Sequence, residues 1–123
     1  MVETAAYPNL HVAGLDTVDL GEFKPKPTGV SGDPMERSKT LWKSPDGTVM
    51  IGVWECTPGT FTATREGYSE VAHITRGKFS LTTPDGVTTE HGPDDLVVTN
   101  EGWRGTWVIT ETVRKVWVIQ RKE

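Results

Sequence analysis

Cysteine and histidine, the residues that most often cross-link or metallate small domains, are scarce in this chain. The single thiol, Cys56, cannot close an internal disulfide or complete a multi-cysteine zinc site, so the fold has to depend on packing. No two of the three histidines are spaced as His-X-His, and neither a Ser-His-Asp arrangement nor a phosphate-binding glycine loop is visible. The sequence excludes disulfide scaffolds and common zinc modules.

Long apolar runs and concentrated positive charge are also missing. No stretch approaches the roughly 18 apolar residues of a membrane span, and the N-terminus shows no basic-then-apolar leader. The formal net charge is -4, with lysines and arginines scattered among acids, so no basic stripe is available for phosphates. We expect a cytoplasmic protein that partners neither nucleic acid nor a membrane.

What the chain has in quantity is short β-prone stretches separated by turn signals. From Thr48 onward, these signals recur roughly every 6 to 12 residues, a rhythm typical of a sandwich or barrel, and no helical period appears. The predicted strands cover residues 49–57, 60–64, 70–75, 78–83, 87–91, 96–100, 106–110 and 113–120. Eight strands suit a double-sheet jelly roll. The predicted fold is therefore all-β.

The first 40 residues differ in composition from the rest. They have few apolar alternations and carry prolines and glycines at Pro8, Gly14, Gly21, Pro25, Pro27, Gly29, Gly32 and Pro34. We predict an extended N-terminal arm over residues 1–40 and a barrel domain over residues 41–123. The arm either wraps its own barrel or adds a strand to a partner's sheet edge, which would make a homodimer.

Two charged residues lie in predicted strands among apolar neighbours. Glu70 shares a strand face with Ala72, and Lys115 shares one with Trp117. If both faces point inward, the two charges are natural partners, because a buried charge needs compensation. The alternative is that Arg114 and its apolar neighbours face inward and Lys115 is solvated.

Aromatic residues and the lone thiol supply candidate pocket walls. Trp54 and Trp107 either fill the core or line a ligand pocket. Trp103, in the turn 100–105, lies beside Arg104 and could close a pocket mouth over a planar or anionic ligand. Cys56 shares a strand face with Trp54, so it is either a small core hydrophobe or a nucleophile, and it is one of the candidate ligand-binding residues.

Several of these segments resemble the two motifs of the cupin superfamily. Glu70, six residues and Gly77 match the end of the first motif, G(X)5HXH(X)3–4E(X)6G, but Ala-Thr-Arg-Glu at 63–66 stands where the histidine pair belongs. In the second motif, G(X)5PXG(X)2H(X)3N, the histidine position falls on Gly105. Of four expected metal ligands only Glu70 remains, so we expect no metal and no cofactor.

Three further segments point to a smaller group within the cupin superfamily: residues 52–59, 105–107 and 111–115. These segments are similar to small single-domain cupins that group with ureidoglycine aminohydrolase and the ethanolamine-utilisation Q protein. The resemblance covers about residues 40 to 120. It implies a cupin-type double-stranded β-helix, a homodimer and an interior pocket containing Glu70, Trp107 and Lys115.

Three functions are compatible with these residues. The first is a metal-free pocket for a small-molecule ligand, with Glu70 as acid or base and Lys115 as its charge partner or an anion anchor. The second is a metal-dependent enzyme resembling the aminohydrolase, which would use Glu66, Glu70 and a histidine. The third is a non-catalytic structural dimer with a packed interior.

Overall fold

The computed structural model describes residues 9–122, and strands dominate it. After one short 3-10 helix at Leu15–Thr17, the strands are β1 (Lys24–Pro25), β2 (Gly29–Ser31), β3 (Met35–Lys43), β4 (Val49–Cys56), β5 (Gly59–Thr64), β6 (Tyr68–Thr82), β7 (Thr88–His91), β8 (Leu96–Thr99) and β9 (Arg104–Arg121). The all-β prediction is confirmed. Within the described range, no helix has the length and apolar character that crossing a membrane requires.

The two longest strands, β6 and β9, hold the barrel together. All pairs are antiparallel, and the main path runs β1-β3-β4-β9-β5-β2, with β6 pairing with β7, β8 and β9. The first part of β9 pairs with β5 and its last part with β4, while β6 follows it along nearly its whole length. This exchange of partners curls the sheet around one interior, as in a jelly roll.

The sequence-based strand breaks at residues 76–77 and 111–112 are wrong. Predicted strands 70–75 and 78–83 form the single strand β6, and 106–110 and 113–120 form β9. The ladder between β6 and β9 shifts register around Arg76 and Lys78, and Gly77 takes a φ of 95° there. Because a bulge bends a strand without ending it, a turn signal in the sequence marks a bend in this barrel.

The predicted N-terminal arm contributes three strands, β1 to β3, which pair within the same chain. β3 runs along β4, β1 pairs with β3, and β2 pairs with β5. β3 continues past residue 40, the predicted end of the arm, to Lys43. Pro8 lies outside the described residues.

One apolar cluster fills the space between the curled halves of the sheet. It comprises Trp54, Cys56, Phe61, Ala72, Ile74, Phe79, Leu81, Val97, Trp107, Ile109, Val113 and Trp117. Both faces of β4 are covered, since Val53 and Glu55 on its outer face are also buried. The N-terminal segment reaches this face through Arg114, which pairs with Glu55 and donates to the carbonyls of Leu15 and Val18.

Candidate functional site

A cavity of about 580 Å³ lies beside the core cluster inside the barrel. Three of its buried lining residues are charged: Arg65, Glu70 and Lys115. Aromatic side chains that include Trp54 and Trp107 form its walls. This volume falls in the range of about 300–1,000 Å³ that small-molecule sites occupy.

Glu70 of β6 and Lys115 of β9 meet at the cavity. The Lys115 Nζ lies 3.0 Å from Glu70 Oε2 and 3.2 Å from Oε1. Both side chains are less than a tenth exposed, at 8% for Glu70 and 6% for Lys115. Lys115 therefore faces the interior and is not solvated. This is the first of the two alternatives that strand alternation left open.

A third charged residue, Arg65, completes the cluster and was missed by the sequence analysis. It follows β5, and its Nη2 lies 2.6 Å from Glu70 Oε1. Its Nε donates to Thr99 Oγ1 at 2.9 Å, and its Nη1 donates to the Thr64 carbonyl at 3.3 Å. Arg65 lies in the 63–66 stretch where the histidine pair of the cupin motif belongs. That position was the available signal, because a residue replacing a metal ligand occupies the same part of the interior.

The cluster carries one more positive than negative charge while Lys115 is protonated. Burial favours a neutral Glu70, but the charges and hydrogen bonds of Lys115 and Arg65 outweigh it and lower the pKa of the carboxyl. For Lys115, burial lowers the pKa of the amine; Glu70 opposes that shift and Arg65 adds to it. The net effect of these groups is that the pKa of Lys115 lies below its ordinary value.

Two tryptophans flank the Lys115 amine. The Nζ lies 4.5 Å from the centre of the Trp54 ring and 4.7 Å from that of Trp107. Trp107 is itself stacked against Phe79, with ring centres 4.6 Å apart. The Trp107 Nε1 is buried and has no hydrogen-bond partner among the described residues. The walls beside the amine are thus largely apolar.

More exposed charged side chains line the outer part of the cavity. Lys26 Nζ lies 3.0 Å from Glu36 Oε1, which also accepts a hydrogen bond of 2.9 Å from Trp54 Nε1. Arg37 and Glu22 add one charge of each sign. Across its whole lining, the cavity has five cationic and three anionic side chains. This excess of positive charge favours an anionic ligand.

Glu55 organises a second buried charge cluster on the opposite face of β4. Its carboxylate accepts a 2.8 Å hydrogen bond from Arg37 and one of 3.4 Å from Arg114. Arg114 Nη2 also donates to the carbonyls of Leu15 and Val18, at 3.0 and 2.8 Å. These bonds fix the N-terminal segment, three residues of which line the cavity near its edge: Leu20, Gly21 and Glu22.

Three residues predicted to bind ligand lie outside this cavity, which corrects that expectation. Cys56 is fully buried in the core, and burial raises the pKa of its thiol to about 12. Trp103 and Arg104 border a separate depression beside Asp85. The Trp103 ring packs over Gly105 and lies 5.6 Å from the Arg65 guanidinium, so it stands behind the charged cluster.

The residues around Glu70 do not fit the metal that the cupin motifs imply. Within residues 9–122, no three His, Cys, Asp or Glu side chains converge on one point. The Glu70 carboxylate is already bonded to two cationic side chains, Arg65 and Lys115, which repel a divalent ion. His73 is exposed on the outer face of β6.

Comparison with known proteins supports the fold and its family. The family model for the EutQ-like cupin domain matches residues 43–117. Among solved structures, the chain resembles a DUF861-family protein of unknown function from Pseudomonas syringae pv. tomato, at 25% identity over 82% of this chain, with a TM-score of 0.69. The chain spans 45% of that protein's length. No curated protein matches it.

Two further structures share the fold at lower identity. EutQ of Clostridium difficile is 17% identical, with a TM-score of 0.70, and the match covers 91% of this chain and 87% of that one. Ectoine synthase from P. lautus is 16% identical, with a TM-score of 0.66, over 93% of this chain and 80% of that one. At these identities the likeness concerns the fold alone.

Proposed function

The chain belongs to the EutQ-like cupin domain family, and on that premise we propose that its barrel cavity binds a small molecule with an anionic group. The observation that carries the proposal is the sharing of one buried carboxylate, Glu70, by two buried cations, Arg65 and Lys115. Burying an uncompensated charge is costly, so an anion that enters supplies the missing charge. The site thus attracts carboxylates and comparable anions.

The walls suggest what the rest of the ligand looks like. Trp54 and Trp107 present ring surface beside the Lys115 amine, which suits a planar or apolar body. The cavity also argues against the packed interior of a purely structural dimer, because side chains leave about 580 Å³ open.

Thermal unfolding with matched ligands tests the proposal. Small carboxylates are compared with their neutral amides, which have the same shape without the charge. Saturation at 100 times the dissociation constant should stabilise the protein by about 2.7 kcal/mol with a carboxylate and by much less with the amide. Equal shifts for both members of each pair, or no shift for any, would overturn it.

Two variants locate the binding in the cavity. Arg65→Met and Lys115→Met each leave Glu70 with one cation, so each removes the excess positive charge while keeping an ion pair. Both should lose the preference for carboxylate over amide. Lys78→Met is the control, because Lys78 is 63% exposed and pairs with Glu111 on the surface. A preference that survives in both interior variants would place the anion elsewhere.

A further inference from the structure

We propose that Lys115 forms a covalent imine with the carbonyl carbon of a small aldehyde or 2-oxo acid that enters the cavity. This inference rests on the proposed function for the ligand's access and adds a reaction to it. It would make the protein an amine catalyst or a covalent carbonyl binder.

The position of the amine is the first argument. Lys115 is the one lysine that is buried among the described residues, and it nevertheless lines the cavity. Its Nζ lies against two rings, 4.5 Å from the centre of Trp54 and 4.7 Å from the centre of Trp107. An imine persists only where water is kept away from it. The two neighbouring rings restrict the approach of water to this nitrogen.

The charges around the amine are the second argument. Groups from several elements face Lys115: Glu70 of β6, Arg65 after β5, Lys26 after β1 and, farther out, Glu36 of β3. Glu70 and the two rings favour the ammonium form. Burial, Arg65 and Lys26 favour the neutral amine, and together they lower the pKa of Lys115. A lysine that is desolvated or placed next to another cation is an activated nucleophile.

Glu70 supplies the proton transfers that imine formation needs. The neutral amine attacks the carbonyl carbon, a C–N bond forms, and the carbonyl π electrons move to oxygen, which takes a proton to give a carbinolamine. The nitrogen then loses its proton and the protonated hydroxyl leaves as water, so amine and carbonyl become imine and water with no oxidant or reductant. Both Glu70 oxygens lie within 3.2 Å of Nζ and can carry these protons.

Reductive trapping of the intact protein with glyoxylate tests the inference. The imine is reduced by cyanoborohydride to a stable secondary amine, and peptide mass mapping locates it. At neutral pH, Lys115 should be modified faster than exposed Lys78, by about tenfold for each unit by which its pKa is lower. The trapping rate at Lys115 should also reach half its maximum at a lower pH than the rate at Lys78. Even labelling of all lysines, or labelling that spares Lys115, overturns the inference.

Parallel measurements separate the two proposals. Acetate has no reactive carbonyl, so its stabilising effect reports anion binding alone. Acetate binding with no preference for Lys115 in trapping refutes the imine and leaves the proposed function standing. Trapping at Lys115 without any acetate or glycolate stabilisation supports the imine and refutes anion binding. Lys115→Met should lose the adduct and Lys78→Met should retain it; an unchanged adduct mass in Lys115→Met refutes the assignment.

Discussion

At the level of single residues, the sharing of Glu70 by two cations sets the effect of each substitution. Glu70→Gln leaves Arg65 and Lys115 close together without a counter-charge, and we expect a loss of about 3 to 5 kcal/mol in unfolding free energy. Lys115→Met leaves the Arg65–Glu70 pair intact, with its 2.6 Å contact, so the expected loss is within about 1 kcal/mol. Urea unfolding of both variants measures the difference.

An isolated Glu70–Lys115 pair would behave differently. Removing either partner would then strand the other, and the two single variants would lose similar amounts. The double variant, Glu70→Gln with Lys115→Met, would then recover most of the stability. With Arg65 present, the double variant instead leaves the guanidinium without its carboxylate, so we expect it to stay destabilised. Equal losses in the single variants would show that Arg65 contributes little.

The lowered pKa of Lys115 predicts a particular dependence of stability on pH. Between the lowered value and the ordinary 10.5, the folded chain binds fewer protons at this residue than the unfolded chain does. The free energy of unfolding contributed by Lys115 therefore rises with pH across that window. Urea midpoints measured at several pH values should rise more in the parent protein than in Lys115→Met. A contribution that falls with pH would show that the pKa is raised instead.

At the level of elements, Gly77 sets the bend at the bulge where β6 pairs with β9. It has a φ of 95°, and a Cβ there would collide with the backbone of Thr112 and Val113. We expect Gly77→Ala to cost about 2 to 4 kcal/mol, from backbone strain and overpacking together. Chemical denaturation gives the value.

Gly86 provides a matched control for this effect. Its φ of 90° is nearly the same, but no atom lies within 4 Å of the place where its Cβ would stand. Gly86→Ala therefore reports the strain of the backbone conformation alone, about 1 to 2 kcal/mol. If the two alanine variants lost equal stability, the close approach of β9 to Gly77 would not be what requires a glycine at position 77.

At the level of the whole molecule, an exposed apolar face accompanies the expectation of a homodimer. Val71 of β6 pairs with Val98 of the neighbouring β8, and these two side chains and Leu96 are 39%, 51% and 67% exposed. A flat apolar face is complementary to itself, as a two-fold contact requires. β1 to β3 pair within their own chain, so we expect this face, instead of the arm, to hold two copies together.

Light scattering on designed variants tests this contact. The unmodified protein should be a dimer, and Val98→Lys should shift it towards monomer because it buries a charge at the contact. Val87→Lys is the control, since Val87 is 57% exposed but lies in the turn before β7. A monomeric parent protein, or equal effects of the two lysine substitutions, would contradict the proposed face.

The sequence by itself determined the properties that depend on local spacing. Turn rhythm gave the all-β class, motif spacing pointed to the cupin superfamily, and strand alternation made an inward Glu70–Lys115 pair one of two alternatives. These features follow from a two-residue period and from turn chemistry, both of which are properties of neighbouring residues. These features do not depend on which strands pack against one another.

Only the tertiary structure decided which interior groups meet. Alternation tells which way a side chain points but not what lies opposite, so Arg65, in a stretch after β5, was not paired with Glu70 in advance. Cys56 also points inward, yet it lies within the packed core, away from the cavity. The sequence pattern predicted a strand end at Gly77, where the structure has a bend. Glycine is typical of turns and of bulges alike, so the local sequence does not distinguish the two. Depth, opposing partners and continuity across a bulge are set by contacts between distant parts of the chain, and the pattern of neighbouring residues does not contain them.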